Sequence, residues 1–193
     1  MPIRDAGFLF WYRYVIAAVV LTLLAPQLWG QDAKPTDYQV KAAYLYNFGR
    51  FIEWPTKTPV TQNDPFTVCV LGQDPFGPTL DTVLAGETIG GKKVVAMRIS
   101  NPQDSVKCRI LFLSAEENIR LKKTIELLDK EAVLTVSDMP KFSQHGGMIQ
   151  FVLEGNRIRF EVNLAATQHA GLTLSSELLK VASAVHKNAS IGD

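Results

Sequence analysis

Gly147 to Asn163, GMIQFVLEGNRIRFEVN, is the stretch on which the fold can be read. Gly155-Asn156 is a two-residue loop of the kind that supplies the positive φ a tight reversal needs, and it pairs Glu154 with Arg157. That register sets Ile149, Phe151 and Leu153 beside Val162, Phe160 and Ile158. On the other face it sets Gln150, Val152 and Glu154 beside Glu161, Arg159 and Arg157. One face is then wholly apolar and the other mostly polar. Slipping either arm by one residue would turn an apolar set into water, so burial and loop chemistry select the same pairing. The expected arms are Met148–Leu153 and Arg157–Asn163.

Upstream, strands and helices alternate. Phe66 to Leu71 is a short apolar run that reads as a buried strand, and Pro78 to Ala85 as a helix with Leu80, Val83 and Leu84 inward. Val94 to Ile99 follows the Ile89-Gly90-Gly91 turn as a strand, and Cys108 to Leu113 is another. Ser114, with Glu117 three residues on, has capping-box spacing for a helix from Ala115 to Lys130. Its apolar side is Ile119, Leu121, Ile125 and Leu128. Val133 to Val136 is a further strand. Such alternation predicts an α/β fold, a single compact domain whose mixed, mostly parallel sheet carries helices and is extended at one side by the antiparallel hairpin.

The flanks read as helices. Pro35-Thr36-Asp37 is helix-start chemistry, and from Tyr38 to Ile52 the apolar positions Val40, Ala43, Tyr44, Phe48 and Phe51 recur at helical intervals, leaving Lys41 and Arg50 outside. Trp54-Pro55 ends that helix. After the hairpin, Leu164 to Ala170 forms a short helix that Gly171 breaks, and Glu177 to His186 forms a second.

The 193 residues suit one domain plus an appendage. Arg4 and Arg13 precede an apolar run from Tyr14 to Ala25, which is short for a membrane span but suits the core of a secretory signal. The expected division is a signal peptide over 1–30, a leader over 31–35, the domain over 36–186 and a frayed tail over 187–193. Leu28 is larger than the small residue usual near a cleavage site, so an uncleaved anchor is the alternative. A formal net charge of +1 gives no field to recruit nucleic acid or an anionic membrane. Lys92-Lys93 and Lys122-Lys123 read as solvated surface.

Two cysteines, Cys69 and Cys108, lie in separate apolar runs. A disulfide would be feasible if those strands are neighbours; otherwise both are buried thiols. Neither has a second Cys or His at metal-ligand spacing.

Catalytic chemistry is thin. His145, His169 and His186 share no ligand spacing, and neither a Gly-x-Ser-x-Gly elbow nor a His-Glu-x-x-His helix is present. Gly72 and Gly77 have the separation of a phosphate cradle, but Pro78 stands where its Lys belongs, so a plain strand-to-helix turn is preferred. Gly72 and Gly77 then mark, at most, the mouth of a small-ligand pocket at the strand ends. The stronger site is the polar hairpin face: Gln150, Arg157, Arg159 and Glu161, carried on two rigid strands and suited to holding a protein partner in one orientation.

Several strings together resemble the YfiR family. They are KAAYLYNFGRFIEWP from Lys41 to Pro55, VCVLG from Val68 to Gly72, CRILFLS from Cys108 to Ser114, GGMIQF from Gly146, RFEVNL from Arg159, and the stretch from Ala165 through GLTLSSELLK to Lys180. The resemblance covers about residues 36 to 185. It implies a non-catalytic protein of the Gram-negative periplasm, without cofactor or metal, which binds the periplasmic sensor domain of an inner-membrane diguanylate cyclase and represses it. Cyclic-di-GMP output and biofilm formation would thereby be restrained. It implies a compact α/β domain prone to homodimerise, with no direct membrane binding after signal cleavage. Cys69 and Cys108 match a family disulfide. Some members carry a second cysteine pair flanking the first arm of the hairpin; this chain has Ser143 and Gln150 in that neighbourhood instead, so the resemblance does not carry over a redox switch through such a pair. Glu161, inside the matched string, is the residue carried over as a partner contact; Arg157 and Arg159 rest on geometry. The rival expectation is a periplasmic binder of a nucleotide or amino acid.

Overall fold

A computed structural model describes residues 35–55 and 64–187. The signal peptide over 1–30, most of the leader and most of the tail lie outside the described residues. Helix α1 (Asp37–Phe51) starts at a full capping box: Thr36 Oγ1 accepts from Gln39 N at 3.2 Å, and Gln39 Oε1 accepts from Thr36 N at 2.7 Å. Its buried face is Lys41, Ala42, Leu45, Phe48 and Gly49, turned from the stripe expected from sequence. Gly49 is required there, since a Cβ would strike Ile89 and lie 3.1 Å from the Phe66 ring.

Lys41 is therefore not on the outside. Its ammonium reaches Asp138 Oδ2 at 2.6 Å with the side chain 10 % exposed. Periodicity placed a charge outward, but a counter-charge 97 residues away makes its burial tolerable.

The main sheet of the described residues has eight strands: β2 (Phe66–Leu71), β3 (Thr88–Ile89), β4 (Lys92–Ile99), β5 (Ile110–Leu113), β6 (Leu134–Ser137), β7 (Ile149–Glu154), β8 (Arg157–Asn163) and β10 (Ala184–His186). Across the sheet they run β10-β8-β7-β6-β5-β2-β4-β3. Strands β4, β2, β5, β6 and β7 are mutually parallel; β8 is antiparallel to β7, and β3 to β4. A small second sheet joins β1 (Ile52–Glu53) to β9 (Thr173–Leu174).

Every residue of β2 is buried, as a central parallel strand requires. Phe66, Val68 and Val70 join one core with α1 and with Leu80 and Leu84 of α2 (Pro78–Leu84). Cys69 and Leu71 join a second with Leu121 of α3 (Leu121–Leu127), Leu128 and Phe142. In the first core Phe48 packs edge-on to Phe160 at 5.1 Å and against Phe151 at 5.9 Å. Aromatic pairs of this kind stabilise by about 1 kcal/mol each beyond area burial, so α1 is tied to the hairpin.

The hairpin has the register its pattern dictates, from Ile149 opposite Val162 to Glu154 opposite Arg157. Gly155 and Asn156 both take positive φ, 51° and 61°, as the twist of a two-residue loop demands. The sheet does not stop at its outer arm. The expected helix over Glu177 to His186 is only α5 (Ser176–Val181); Ala182 is extended, and β10 pairs parallel to β8. Ser183 N donates to Phe160 O at 2.9 Å and Ser183 Oγ to the same oxygen at 3.1 Å. Satisfying the outer edge of β8 outweighs the local helical pattern.

The segment after β5 also differs from a continuous helix. Ala115–Arg120 is a 3₁₀ turn, and only Leu121–Leu127 is α-helical. Ser114 Oγ turns to Glu116 Oε2 at 3.4 Å instead of capping the backbone, and Glu117 is buried. The tighter winding rotates Ile119 away from the core and leaves it 94 % exposed. Helix α4 (Leu164–His169) follows β8, capped by Asn163.

Cys69 and Cys108 form a disulfide that closes a separation of 39 residues. Replacing both by alanine should lower unfolding free energy by about 4 kcal/mol in the chain-entropy picture, read by urea titration. A loss below about 1 kcal/mol would show that the pair does not constrain the unfolded chain. Asp138→Asn leaves the Lys41 ammonium without its counter-charge and should cost on the order of 3 kcal/mol. Adding Lys41→Met should recover most of it. A double variant no more stable than the single one would contradict charge stranding.

Candidate functional site

Two features compete. The first is the polar face of β7 and β8. The register puts Gln150 opposite Glu161, Val152 opposite Arg159 and Glu154 opposite Arg157, so the four sequence-chosen residues share one face. It is the same side of the sheet as the disulfide, because Gln150 lies beside Ser137, and Thr135 beside Leu111, which lies beside Cys69.

Two of the four are already engaged within the chain. Gln150 Oε1 accepts from Ser143 N at 3.1 Å and Ser143 Oγ at 3.2 Å, while Ser143 O accepts from Asn163 Nδ2 at 2.8 Å. This network fastens the 139–147 loop to both arms of the hairpin. Gly147 lets it close, since a Cβ there would fall inside the Phe142 ring. Glu161 Oε2 lies 3.2 Å from His186 Nε2 on β10. Arg157 and Arg159 enter no ion pair among the described residues, and Leu153 at the hairpin tip is 61 % exposed. Leu153 belongs to the opposite, apolar face, so the polar face presents two unspent guanidinium groups on backbone held by a closed polar network.

The second feature is a cavity of about 260 Å³ at the carboxyl ends of β2, β5 and β6. Asp74 and Pro75 line it after β2, Ser114 and Glu116 after β5, Asp138 after β6, and Tyr38 from α1. Asp74 Oδ1 accepts from Phe76 N at 2.8 Å, and its Oδ2 accepts from Arg98 Nε at 2.8 Å. Asp138 Oδ2 accepts from Lys41 Nζ at 2.6 Å and from Tyr38 Oη at 3.2 Å. Burial, with the Asp138 carboxylate beside it, pushes the Tyr38 phenol up to about 12, so it remains a donor through the physiological range.

The loop reaches this cavity through Gln73 to Pro75 and not through the two glycines singled out from sequence. Gly72 has φ +89°, and a Cβ would run into Ser114 Oγ and lie 2.9 Å from Glu117 Oε1. Gly77 caps α2, and its carbonyl accepts from Arg98 Nη2 at 2.7 Å. Arg98 also donates to Asp81 Oδ1 at 2.8 Å, and that pairing holds the Asp81 carboxyl below the usual range. Carboxylates and a guanidinium thus fill the place where an anion cradle would need free N–H groups.

Sequence reasoning missed Lys41, Asp138 and His186. Lys41 and Asp138 carry no shared local signal, being brought together only by tertiary structure, and His186 shares no ligand spacing with the other histidines. Among the described residues no group of three or more His, Cys, Asp or Glu could hold a metal ion, and no helix is long and apolar enough to cross a membrane.

The fold is shared with a solved structure, a conserved domain protein from Vibrio cholerae O1 biovar eltor. The TM-score is 0.53 at 9 % identity, over 78 % of this chain and 60 % of that one. The likeness extends to the fold, and the matched region is under two thirds of the Vibrio protein's length. The sequence profile of the YfiR/HmsC-like family matches residues 38–183, which run from the first turn of α1 to the residue before β10. The chain belongs to the YfiR/HmsC-like family.

Proposed function

We propose that this protein is a non-catalytic periplasmic regulator that binds the periplasmic sensor domain of an inner-membrane diguanylate cyclase and holds it inactive. Cyclic-di-GMP signalling and biofilm formation are restrained in consequence. The observation that carries this reading is the family match across residues 38–183, nearly the whole described domain. In the same reading residues 1–30 are a signal peptide removed on export, 31–35 a leader, 36–186 the working domain and 187–193 a tail; the domain is able to pair as a homodimer. The Cys69–Cys108 disulfide suits the oxidising compartment the reading requires.

Repression needs only that the protein bind the inactive cyclase more tightly than the active one, because a ligand shifts an equilibrium by its differential affinity. The polar hairpin face is the docking surface in this proposal, with Arg157 and Arg159 as anchors for partner carboxylates and Gln150 and Glu161 completing it. Arg159 is half-buried on a strand, so little side-chain entropy is lost on docking.

Glu161→Lys and Arg159→Glu should each weaken binding to the cyclase's periplasmic domain at least tenfold, about 1.4 kcal/mol, in calorimetry with purified partners. Urea midpoints should stay near wild type, since both side chains reach solvent. Wild-type affinity in both variants, with repression intact in cells, would remove the hairpin face from the proposal.

A further inference from the structure

We propose that His186, on the last strand β10, is a positioning residue for the docking face: it holds Glu161 by one carboxylate oxygen, so that the other oxygen and the neighbouring Arg159 stay available to a partner. This rests on the reading of the polar hairpin face as a docking surface, and it extends that face by one strand.

Backbone pairing puts His186 there. Strand β10 lies parallel to β8, with Ala184 opposite Glu161 and His186 opposite Asn163. Residues opposite one another share a face, so His186 stands on the polar side with Gln150, Arg159 and Glu161. The register is pinned just upstream, where Ser183 N and Ser183 Oγ both donate to Phe160 O, at 2.9 and 3.1 Å. A slip of one residue would turn His186 to the opposite face. The family profile ends at residue 183, so the contact is made by a strand outside the matched region.

One partner is open to His186 on this face. Its same-face neighbours on β8 are Glu161 and Asn163. Asn163 is committed elsewhere: its Nδ2 donates to Ser143 O at 2.8 Å, and its Oδ1 accepts from Ala166 N at 3.0 Å. Helix α4 packs against β10 and carries one titratable residue, His169, whose ring lies 2.7 Å from Asp129 Oδ1. His186 Nε2 lies 3.2 Å from Glu161 Oε2. A carboxylate only accepts, so the contact requires a hydrogen on Nε2, whether the ring is neutral or charged.

What this leaves over is the functional point. The Glu161 side chain is 26 % exposed, and its Oε1 has no donor among the described residues. Arg159, two residues away on the same face of the same strand, could fold onto this carboxylate, yet it enters no ion pair among the described residues. Held from the β10 side, Glu161 offers Oε1 as an acceptor beside an unpaired guanidinium, and a partner surface bearing a donor next to a carboxylate meets both. Fixing the carboxylate beforehand also removes rotamer freedom that docking would otherwise have to freeze.

Calorimetry of the exported protein against the cyclase's purified periplasmic domain tests this through a double-variant cycle. His186→Ala should weaken binding about fivefold in the wild-type background, and by less than about twofold once Glu161→Ala is in place. His186→Gln, whose amide N–H can stand where the ring Nε2–H does, should restore binding to within about twofold of wild type. Urea midpoints should stay near wild type throughout, because an exposed pair of this kind adds little to folding. The same loss in both backgrounds, His186→Gln as weak as His186→Ala, or wild-type affinity in His186→Ala would each overturn the positioning role. If Glu161→Lys still loses affinity in that case, the docking face stands without His186. No binding by the wild-type protein would overturn the docking reading itself, and the positioning role with it.

Discussion

Burial of β2 on both faces is the constraint from which the rest of the structure follows. A strand whose six residues all avoid water must sit between two strands and between two layers. Strands β4 and β5 satisfy its backbone on either side. One layer is α1 and α2 over Phe66, Val68 and Val70; the other is α3 and the 139–147 loop over Cys69 and Leu71. The disulfide lies within the second layer, which is thinner in helix and contains no aromatic cluster like that of Phe48, Phe151 and Phe160. A covalent link substitutes there for packing that short helical segments cannot supply.

Polar groups divide the molecule differently. At the hairpin end Gln150, Ser143 and Asn163 form a closed set that stiffens a surface while leaving Arg157 and Arg159 unspent. At the strand ends the acids are paired within the chain, Asp138 with Lys41 and Asp74 with Arg98. Ser143 and Gln150 are joined directly, the hydroxyl donating to the amide oxygen at 3.2 Å. The loop is held against the hairpin by hydrogen bonds.

Much of this was legible before any coordinates. The Gly155-Asn156 loop and the alternation on either side of it admit one register, and that register is the one found. The buried parallel strands were readable because continuous apolar runs of four to six residues flanked by turn residues have few other uses. Other features were misread for a shared reason. Lys41 sits at a helical position that periodicity alone assigns to solvent, and Ile119 at one it assigns to the core. Neither the Asp138 counter-charge nor the 3₁₀ winding leaves a local trace.

Local chemistry thus determined the pieces: the hairpin and its register, the central strands, the capped first helix and the α/β class. Tertiary structure decided how the pieces close. It turned Ala184–His186 from the end of a helix into an edge strand, because the outer edge of β8 needed backbone partners. It joined Lys41 and Tyr38 to Asp138, and it gathered the loops after β2 and β5 around one cavity. Periodicity and turn propensity act over a few residues, whereas backbone satisfaction and charge pairing are settled between segments that meet only when the sheet is complete.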